Sequence, residues 1–247
     1  MNKENIGGRA YANGIKLISK NFSVKAYYNK NNKLNFKVSQ VKNNRLIELL
    51  QKIPVIRGIV SLLFAIFIFL KEGVNSPKKY WFVFLIIFID LLYFFILESG
   101  TGSIFVSNLI LLSYYLIPLL LLFIFRKKIK TVLKYHGAEH KAVHYYENDC
   151  QGNINDYSRL HRRCGSNIIF YYIIINLIGN LFNINLNLNI LFQQFIYLGI
   201  AYEAIKYTPE KLLFIPQIFQ RLVTREPDPK HLKAAQTALN ILYKKMK

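Results

Sequence analysis

The sequence predicts an α-helical polytopic membrane protein with four transmembrane helices and one further re-entrant or interfacial helix. Hydrophobic residues make up 53% of its 247 residues, and the mean hydropathy is +0.20. Their clustering is more informative, because Tyr80–Leu97 and Ile104–Phe125 are almost wholly apolar. About 20 such residues, each rising 1.5 Å, span the roughly 30 Å hydrocarbon core of a bilayer. A small cytoplasmic β-hairpin region and a C-terminal amphipathic helix complete the predicted fold.

The segments between the apolar stretches decide which stretches cross. Lysine-rich 1–53 and basic 126–165 both favour the cytoplasmic side, and five crossings would put them on opposite sides. Four crossings place both termini in the cytoplasm of a bacterial cell membrane, with external turns at Ser99–Ser103 and Asn183–Asn187. The five apolar stretches are Val55–Leu70, Tyr80–Leu97, Ile104–Phe125, Ile168–Phe182 and Leu188–Ile205.

The first apolar stretch is the one that we expect not to cross. It is short, carries Arg57 and Gly58 near its start, and is followed at once by Lys71, which is typical of a re-entrant or interfacial helix. The predicted divisions are 1–53, a basic region with the β-hairpin; 54–79, the re-entrant or interfacial helix; 80–125, the first transmembrane hairpin; 126–165, a histidine-rich cytoplasmic loop; 166–207, the second transmembrane hairpin; and 208–247, a cytoplasmic amphipathic tail.

Two cytoplasmic elements have their own patterns. Ser23–Gln40 contains two β-prone runs around an Asn/Lys turn, which predicts a β-hairpin. Asp228 followed by Pro229 predicts a helix start, with the acid as N-cap and proline at the first helical position. An apolar stripe at helical spacing follows, so this helix is expected on the membrane surface or against the protein body. The stripe consists of Leu232, Ala235, Leu239 and Leu242.

The formal net charge of +20 bears on partners. In a soluble protein it would suggest nucleic acid, but in a membrane protein lysine and arginine collect on the cytoplasmic side and favour anionic headgroups. The abundance of Asn, Ile, Lys and Tyr is typical of an AT-rich genome. We therefore expect the lipid bilayer and its anionic headgroups as partners, with other membrane proteins as further candidates and no specific nucleic acid.

Four of the five histidines lie between positions 136 and 161. On a helix, His136 and His140 share one face, at the spacing that lets two imidazoles bind one metal ion. Glu139 completes the order His-x-x-Glu-His, the inverted zinc-protease arrangement in which the glutamate is the general base. The pattern predicts a site for a divalent metal, zinc above all, with Glu139 catalytic. The alternative is that these histidines are amphipathic residues at headgroup level.

The remaining metal ligand is left open by the sequence. His144 continues the histidine line by another turn, and His161–Gly165 brings a histidine and a cysteine, both frequent ligands. That second cluster is equally well a basic membrane flank. Glu203 is costly in an apolar helix, and it either completes the site or pairs with Lys206 or Arg57. The candidates are therefore His144, His161, Cys164, Glu203 and Glu226.

Six short motifs occur in order along the chain. They are Ile6–Gly8 (I-G-G), Pro54–Gly58 (P-V-I-R-G), Tyr135–Glu147 (Y-H-G-A-E-H-K-A-V-H-Y-Y-E), His161–Gly165 (H-R-R-C-G), Ala201–Glu203 (A-Y-E) and Gln220–Pro227 (Q-R-L-V-T-R-E-P). Together they resemble the YqhQ-like family of bacterial membrane proteins over nearly the whole chain. The resemblance implies a domain of unknown function, described as a predicted metal-dependent enzyme, without naming a substrate.

The N-terminal block departs from the family pattern. The family reads G-G-Q-A-V-x-E-G-V-M-M-R, whereas residues 7–18 read G-G-R-A-Y-A-N-G-I-K-L-I, so that Arg9 replaces glutamine and Asn13 replaces glutamate. The histidines, Cys164 and Arg225 are retained. If the missing glutamate carries chemistry in relatives, this chain has lost it.

The function that these patterns favour is a membrane-bound, metal-dependent hydrolase with a cytoplasm-facing site. Arg225 is expected to act beside Glu139 by holding an anionic substrate in a bidentate contact. The alternative is a non-enzymatic scaffold or quality-control factor for membrane proteins, with a structural metal or a hydrogen-bonded histidine cluster. Transport is less favoured, because the apolar stretches hold few polar residues.

Overall fold

A computed structural model describes residues 4–41, 44–99, 104–184 and 189–246. The chain divides into two compact units, Met1–Ser61 with Lys130–Lys247, and Leu62–Ile129. The strands are β1 (Gly7–Tyr11), β2 (Gly14–Ile18), β3 (Phe22–Tyr28) and β4 (Leu34–Gln40). The α-helices are α1 (Arg45–Leu50), α2 (Ile56–Asn75), α3 (Pro77–Ser99), α4 (Ile104–Ile124), α5 (Arg126–Glu147), α6 (Gly165–Leu181), α7 (Ile190–Tyr207), α8 (Phe214–Val223) and α9 (Pro229–Met246).

The strands form an antiparallel sheet in the order β1-β2-β3-β4. β3 and β4 are the hairpin predicted over Ser23–Gln40, with Val24 paired to Val38. β1 and β2 add a second hairpin outside the predicted one. At its turn Asn13 donates a side-chain hydrogen bond to the Tyr28 carbonyl, at 3.1 Å. The residue that replaces the family's glutamate therefore closes a turn.

The first unit has its core between this sheet and two helices. Period-2 alternation points one side of β2 and β3 inward, and α9 packs on these two strands, while α5 contributes buried alanines to the same core. α9 begins at Pro229, as predicted, and its stripe packs against the protein body. The fully buried core residues are Ile15, Leu17, Val24 and Ala26 of the sheet, Ala138 and Ala142 of α5, and Ala234, Ala235, Ala238 and Leu242 of α9.

The prediction of four transmembrane helices plus one re-entrant helix is wrong. In the described part of the chain, one helix is long and apolar enough to cross a membrane, α2, with 11% of its most apolar window buried. This is the segment that the charge argument kept out of the membrane. Two shorter apolar helices are found at Tyr80–Ile89 and Gly165–Leu181. The fold is instead a four-stranded sheet packed with helices in the first unit, and helices in the second.

Particular residues explain the error. α6 has 17 residues, about 25 Å at 1.5 Å each, which is short of the hydrocarbon core. α7 contains Gln193, Gln194 and Glu203. The predicted spans are apolar runs of sequence, whereas a crossing needs an unbroken apolar helix. Most of each predicted external turn, residues 100–103 and 185–187, lies outside the described residues.

Candidate metal centre

The first unit brings His136, His140 and Cys164 together. The two histidines lie one turn apart on α5, with their ring centroids 4.5 Å apart. Cys164 immediately precedes α6, and its Sγ is 3.5 Å from Nε2 of His136. One candidate ligand atom from each of the three residues lies within 4.8 Å of the other two. Of the ligands that the sequence left open, Cys164 is the one placed beside the histidine pair.

Backbone carbonyls orient both imidazoles. Nδ1 of His136 lies 2.8 Å from the carbonyl oxygen of Val223, and Nδ1 of His140 lies 2.6 Å from that of Arg159. A carbonyl only accepts hydrogen bonds, so each ring donates from Nδ1 and leaves Nε2 as the nitrogen available to a ligand. A histidine that ligates a metal commonly donates its other N–H to a carbonyl in this way.

The position of Cys164 favours ionisation of its thiol. Burial raises the pKa of its thiol, but hydrogen bonds with His140 and Ser166 outweigh burial and hold the pKa below its ordinary value. The hydroxyl of Ser166 is 3.1 Å from the sulfur. The residue also stands at the N-terminus of α6, where the helix dipole favours negative charge. Thiolate is the form of cysteine that binds metal ions.

Glu139 lies buried between α5 and β1. Its side chain is 7% exposed, and a Cβ added to Gly8 would come within 2.5 Å of its Cγ. Only a glycine in β1 therefore leaves room for the carboxylate. Burial raises the pKa of Glu139 to about 7, against the opposing charges of His136 and Arg9. A carboxyl group with this pKa can both take up and release a proton near neutral pH.

His144 and His161, two other predicted ligands, meet in a separate group with Glu147. Their candidate ligand atoms also lie within 4.8 Å of one another, but most are already hydrogen-bonded. Nε2 of His144 donates to the Leu160 carbonyl at 2.8 Å, and Nε2 of His161 donates to Glu147 at 3.1 Å. Arg163 pairs with the same carboxylate, and its backbone N–H bonds to Nδ1 of His161. This group is a hydrogen-bonded network rather than an open donor set.

The structure does not bring Glu203 or Glu226 to the cysteine and histidine donors. Glu203 on α7 accepts a hydrogen bond from Nε of Arg57 at 2.6 Å, which is the pairing that the sequence offered as an alternative. Glu226 pairs with the buried ammonium of Lys141 at 2.5 Å and with Arg159 at 3.4 Å. Both acids are engaged with cations.

The segment after α8 is tied to α5 through its backbone. The N–H of Arg225 donates to the carbonyl of Leu133 at 3.0 Å, and its own carbonyl lies over Gly137, where a Cβ would overlap the oxygen. The side chain of Arg225 is exposed. The predicted substrate-holding residue therefore fixes this segment through its main chain while its guanidinium faces outward.

Sequence reasoning missed the residues that support the donors. Gln220 is fully buried and makes two hydrogen bonds to the backbone of His161, each 3.2 Å long. Thr224 accepts a hydrogen bond from Arg159 on its hydroxyl at 3.0 Å. Glu147 falls within the same motif as the histidines, seven residues after His140, so helical spacing was the available signal. The Val223 carbonyl that supports His136 has no signal in the sequence, because every residue has a backbone carbonyl.

An isosteric change at Glu139 tests the cost of its burial. Between pH 4.5 and about 7 the folded protein keeps a proton that the unfolded chain releases, so wild-type stability falls as the pH rises through this window. At pH 8 the ionised, buried carboxylate costs about 3 kcal/mol. We expect chelator-treated Glu139→Gln to melt at a higher temperature than wild type at pH 8, with a much smaller difference at pH 5.

The control for this prediction is Glu210→Gln, which changes an exposed carboxylate and should leave the melting temperature unchanged at both pH values. Thermal unfolding followed by intrinsic fluorescence in detergent gives the comparison. A Glu139→Gln variant that is less stable than wild type at pH 8 would show that the carboxylate is stabilised by contacts rather than penalised by burial.

The chain is similar in sequence to proteins of one family. The family model described as protein of unknown function (DUF1385) matches residues 14–245. The uncharacterized protein YqhQ of Bacillus subtilis (strain 168) is 34% identical over 130 residues, which are 46% of this chain and 41% of that protein. The aligned part thus spans less than half of that relative. No solved structure matches the chain.

Proposed function

The chain belongs to the DUF1385 family of proteins of unknown function, and within that family we propose that it is a membrane-bound, metal-dependent hydrolase. Its resemblance to YqhQ-like proteins is confirmed. The proposed metal is zinc, held by His136, His140 and Cys164. Glu139 is the proposed general base.

One observation carries this proposal: one candidate ligand atom from each of His136, His140 and Cys164 lies within 4.8 Å of the other two. Backbone carbonyls occupy Nδ1 of His136 and of His140, which leaves Nε2 of each ring for a metal ion, and the pKa of the Cys164 thiol lies below its ordinary value. Zinc sites in proteins favour such nitrogen and sulfur donors. Three protein ligands are typical of catalytic zinc sites, whereas structural sites have four. The donor set therefore fits zinc in a catalytic arrangement.

The groups of the chain around the donors have separate tasks in this proposal. Bound zinc would lower the pKa of water toward 7 and polarise a carbonyl or phosphoryl oxygen. Glu139 receives a proton from water on its carboxylate and delivers it to the leaving group, for which its pKa of about 7 is suited. The backbone of β1 at Gly8 packs against this carboxylate and separates it from bulk solvent.

Attachment to a membrane rests on α2. Ile56–Asn75 has 20 residues and is apolar enough to cross a bilayer. Its first turn is anchored in the first unit, because Arg57 bonds to Glu203 on α7. We therefore propose a bacterial cell membrane as the location, with the metal centre on the side where the basic segments lie.

The experiment uses full-length protein in detergent, loaded with zinc, and two chromogenic probes, p-nitrophenyl acetate and p-nitrophenyl phosphate. We expect zinc-dependent hydrolysis of at least one probe, lost on chelation. We also expect Glu139→Gln to keep its zinc while the rate falls by about 100-fold. A zinc-loaded wild type that is no faster than Glu139→Gln on either probe overturns the hydrolase proposal and leaves the scaffold or quality-control role.

A further inference from the structure

α8 carries an apolar face that none of the described residues covers. Phe214, Ile218 and Leu222 follow one another at helical spacing, with 58%, 58% and 70% of their surfaces exposed, and Ile215 adjoins them. At 100° per residue these side chains span about a quarter of the helix circumference. Such a stripe on a short helix is the pattern of a helix that lies in the plane of a membrane interface.

The opposite face of α8 holds the candidate centre. Pro216 and Gln220 are buried on that side, and Gln220 bonds to the backbone of His161. The last residue of the helix, Val223, accepts the Nδ1 hydrogen bond of His136. The rotation of α8 is therefore fixed by the centre, and the apolar stripe is held outward by the same contacts.

The charged residues around the stripe indicate whether it contacts a protein partner or a membrane. Lys211 and Arg221 are exposed beside it, and the chain has a formal net charge of +20. α6 packs against α8 and exposes a stripe of its own at Ile169, Ile173 and Leu177. A protein partner would have to match two apolar stripes with a basic rim, whereas an anionic bilayer matches both features at once.

We propose that α8 lies in the headgroup region of an anionic bilayer, with Phe214, Ile218 and Leu222 inserted toward the acyl chains. The ends of two neighbouring helices, α2 and α7, carry groups that suit this position at the membrane interface. α2 begins at Ile56 and α7 ends at Tyr207, and the pair Arg57–Glu203 joins these two ends. Polar and aromatic groups of this kind collect at membrane interfaces. The proposal holds whether or not the histidines bind metal.

The test places a tryptophan on the stripe of the full-length protein. Trp81 is the only tryptophan of the chain, so Trp81→Phe gives a dark background into which Ile218→Trp is introduced. The protein is reconstituted into vesicles of phosphatidylglycerol and phosphatidylcholine that contain lipids brominated on the acyl chains. We expect more than about half of the Ile218→Trp emission to be quenched, because the apolar face of such a helix lies about 5–10 Å into the boundary between headgroups and acyl chains.

The matched control is Gln236→Trp, on the exposed side of α9, for which we expect little quenching. Quenching at position 218 should also be stronger in the anionic vesicles than in phosphatidylcholine alone. Equal emission loss at both positions, or none at position 218, overturns the proposal. Crosslinking of Ile218→Cys between two chains would assign the stripe to a second copy instead, and equal quenching in both vesicle types would exclude an anionic surface.

Discussion

A His140→Ala variant is expected to hold less than about a tenth of the zinc of the wild-type protein, which should hold about one ion per chain. The change removes one of three donors and leaves His136 and Cys164. Loss of a residue that only supports a ligand commonly weakens metal binding by 10–100-fold, and loss of a ligand costs more. Elemental analysis of protein purified in detergent and dialysed against micromolar zinc measures the outcome.

His144→Ala is the matched control, since it removes a histidine from the same helix one turn later. His144 donates Nε2 to the Leu160 carbonyl and belongs to the group around Glu147, so its loss should leave the zinc content unchanged. His140→Gln keeps more of the side-chain volume and guards against simple unfolding. Equal zinc loss in His140→Ala and His144→Ala would move the metal to the second group or spread it over both.

Cobalt reports the third donor directly. A thiolate bound to cobalt gives a charge-transfer absorption, which we expect in the wild-type protein and not in Cys164→Ser.

Helical spacing identified the two histidines from sequence, but Cys164 remained one candidate among five. Its selection depends on how residues 148–164 return to α5, and contacts such as that of His140 with the Arg159 carbonyl set this path. Backbone carbonyls leave no trace in a sequence.

The fold was predictable where local chemistry decides it. The Asp228-Pro229 start and the stripe after it identified α9, and two β-prone runs around an Asn/Lys turn identified β3 with β4. The Asn13-Gly14 dipeptide indicates a turn between β1 and β2, but the loop residues are Ala12 and Asn13, and Gly14 already pairs with Tyr11. The spans were not predictable in the same way, because hydropathy does not reveal where α6 stops.

Replacing Gly137 by alanine is expected to destabilise the protein, against the usual effect of this change. In an exposed helix interior, glycine to alanine stabilises by about 0.5–1 kcal/mol. Here the new Cβ would overlap the carbonyl oxygen of Arg225, a backbone atom of a segment bonded to Leu133. The segment must move away from α5, at a cost of about 1–3 kcal/mol. We expect a melting temperature lower by several degrees.

Zinc binding distinguishes this displacement from a general loss of stability. Two residues before Arg225, the Val223 carbonyl orients His136, so movement of the segment should weaken zinc binding by about 10–100-fold, measured by competition with a chelator well below the melting temperature. Gly73→Ala in α2 is the control, because its Cβ would meet neighbours at 3.9 Å, an ordinary contact. It should keep both stability and zinc affinity. If Gly137→Ala melts early yet binds zinc as tightly as wild type, the Val223 carbonyl does not position His136, and the orientation of that ligand comes from α5 alone.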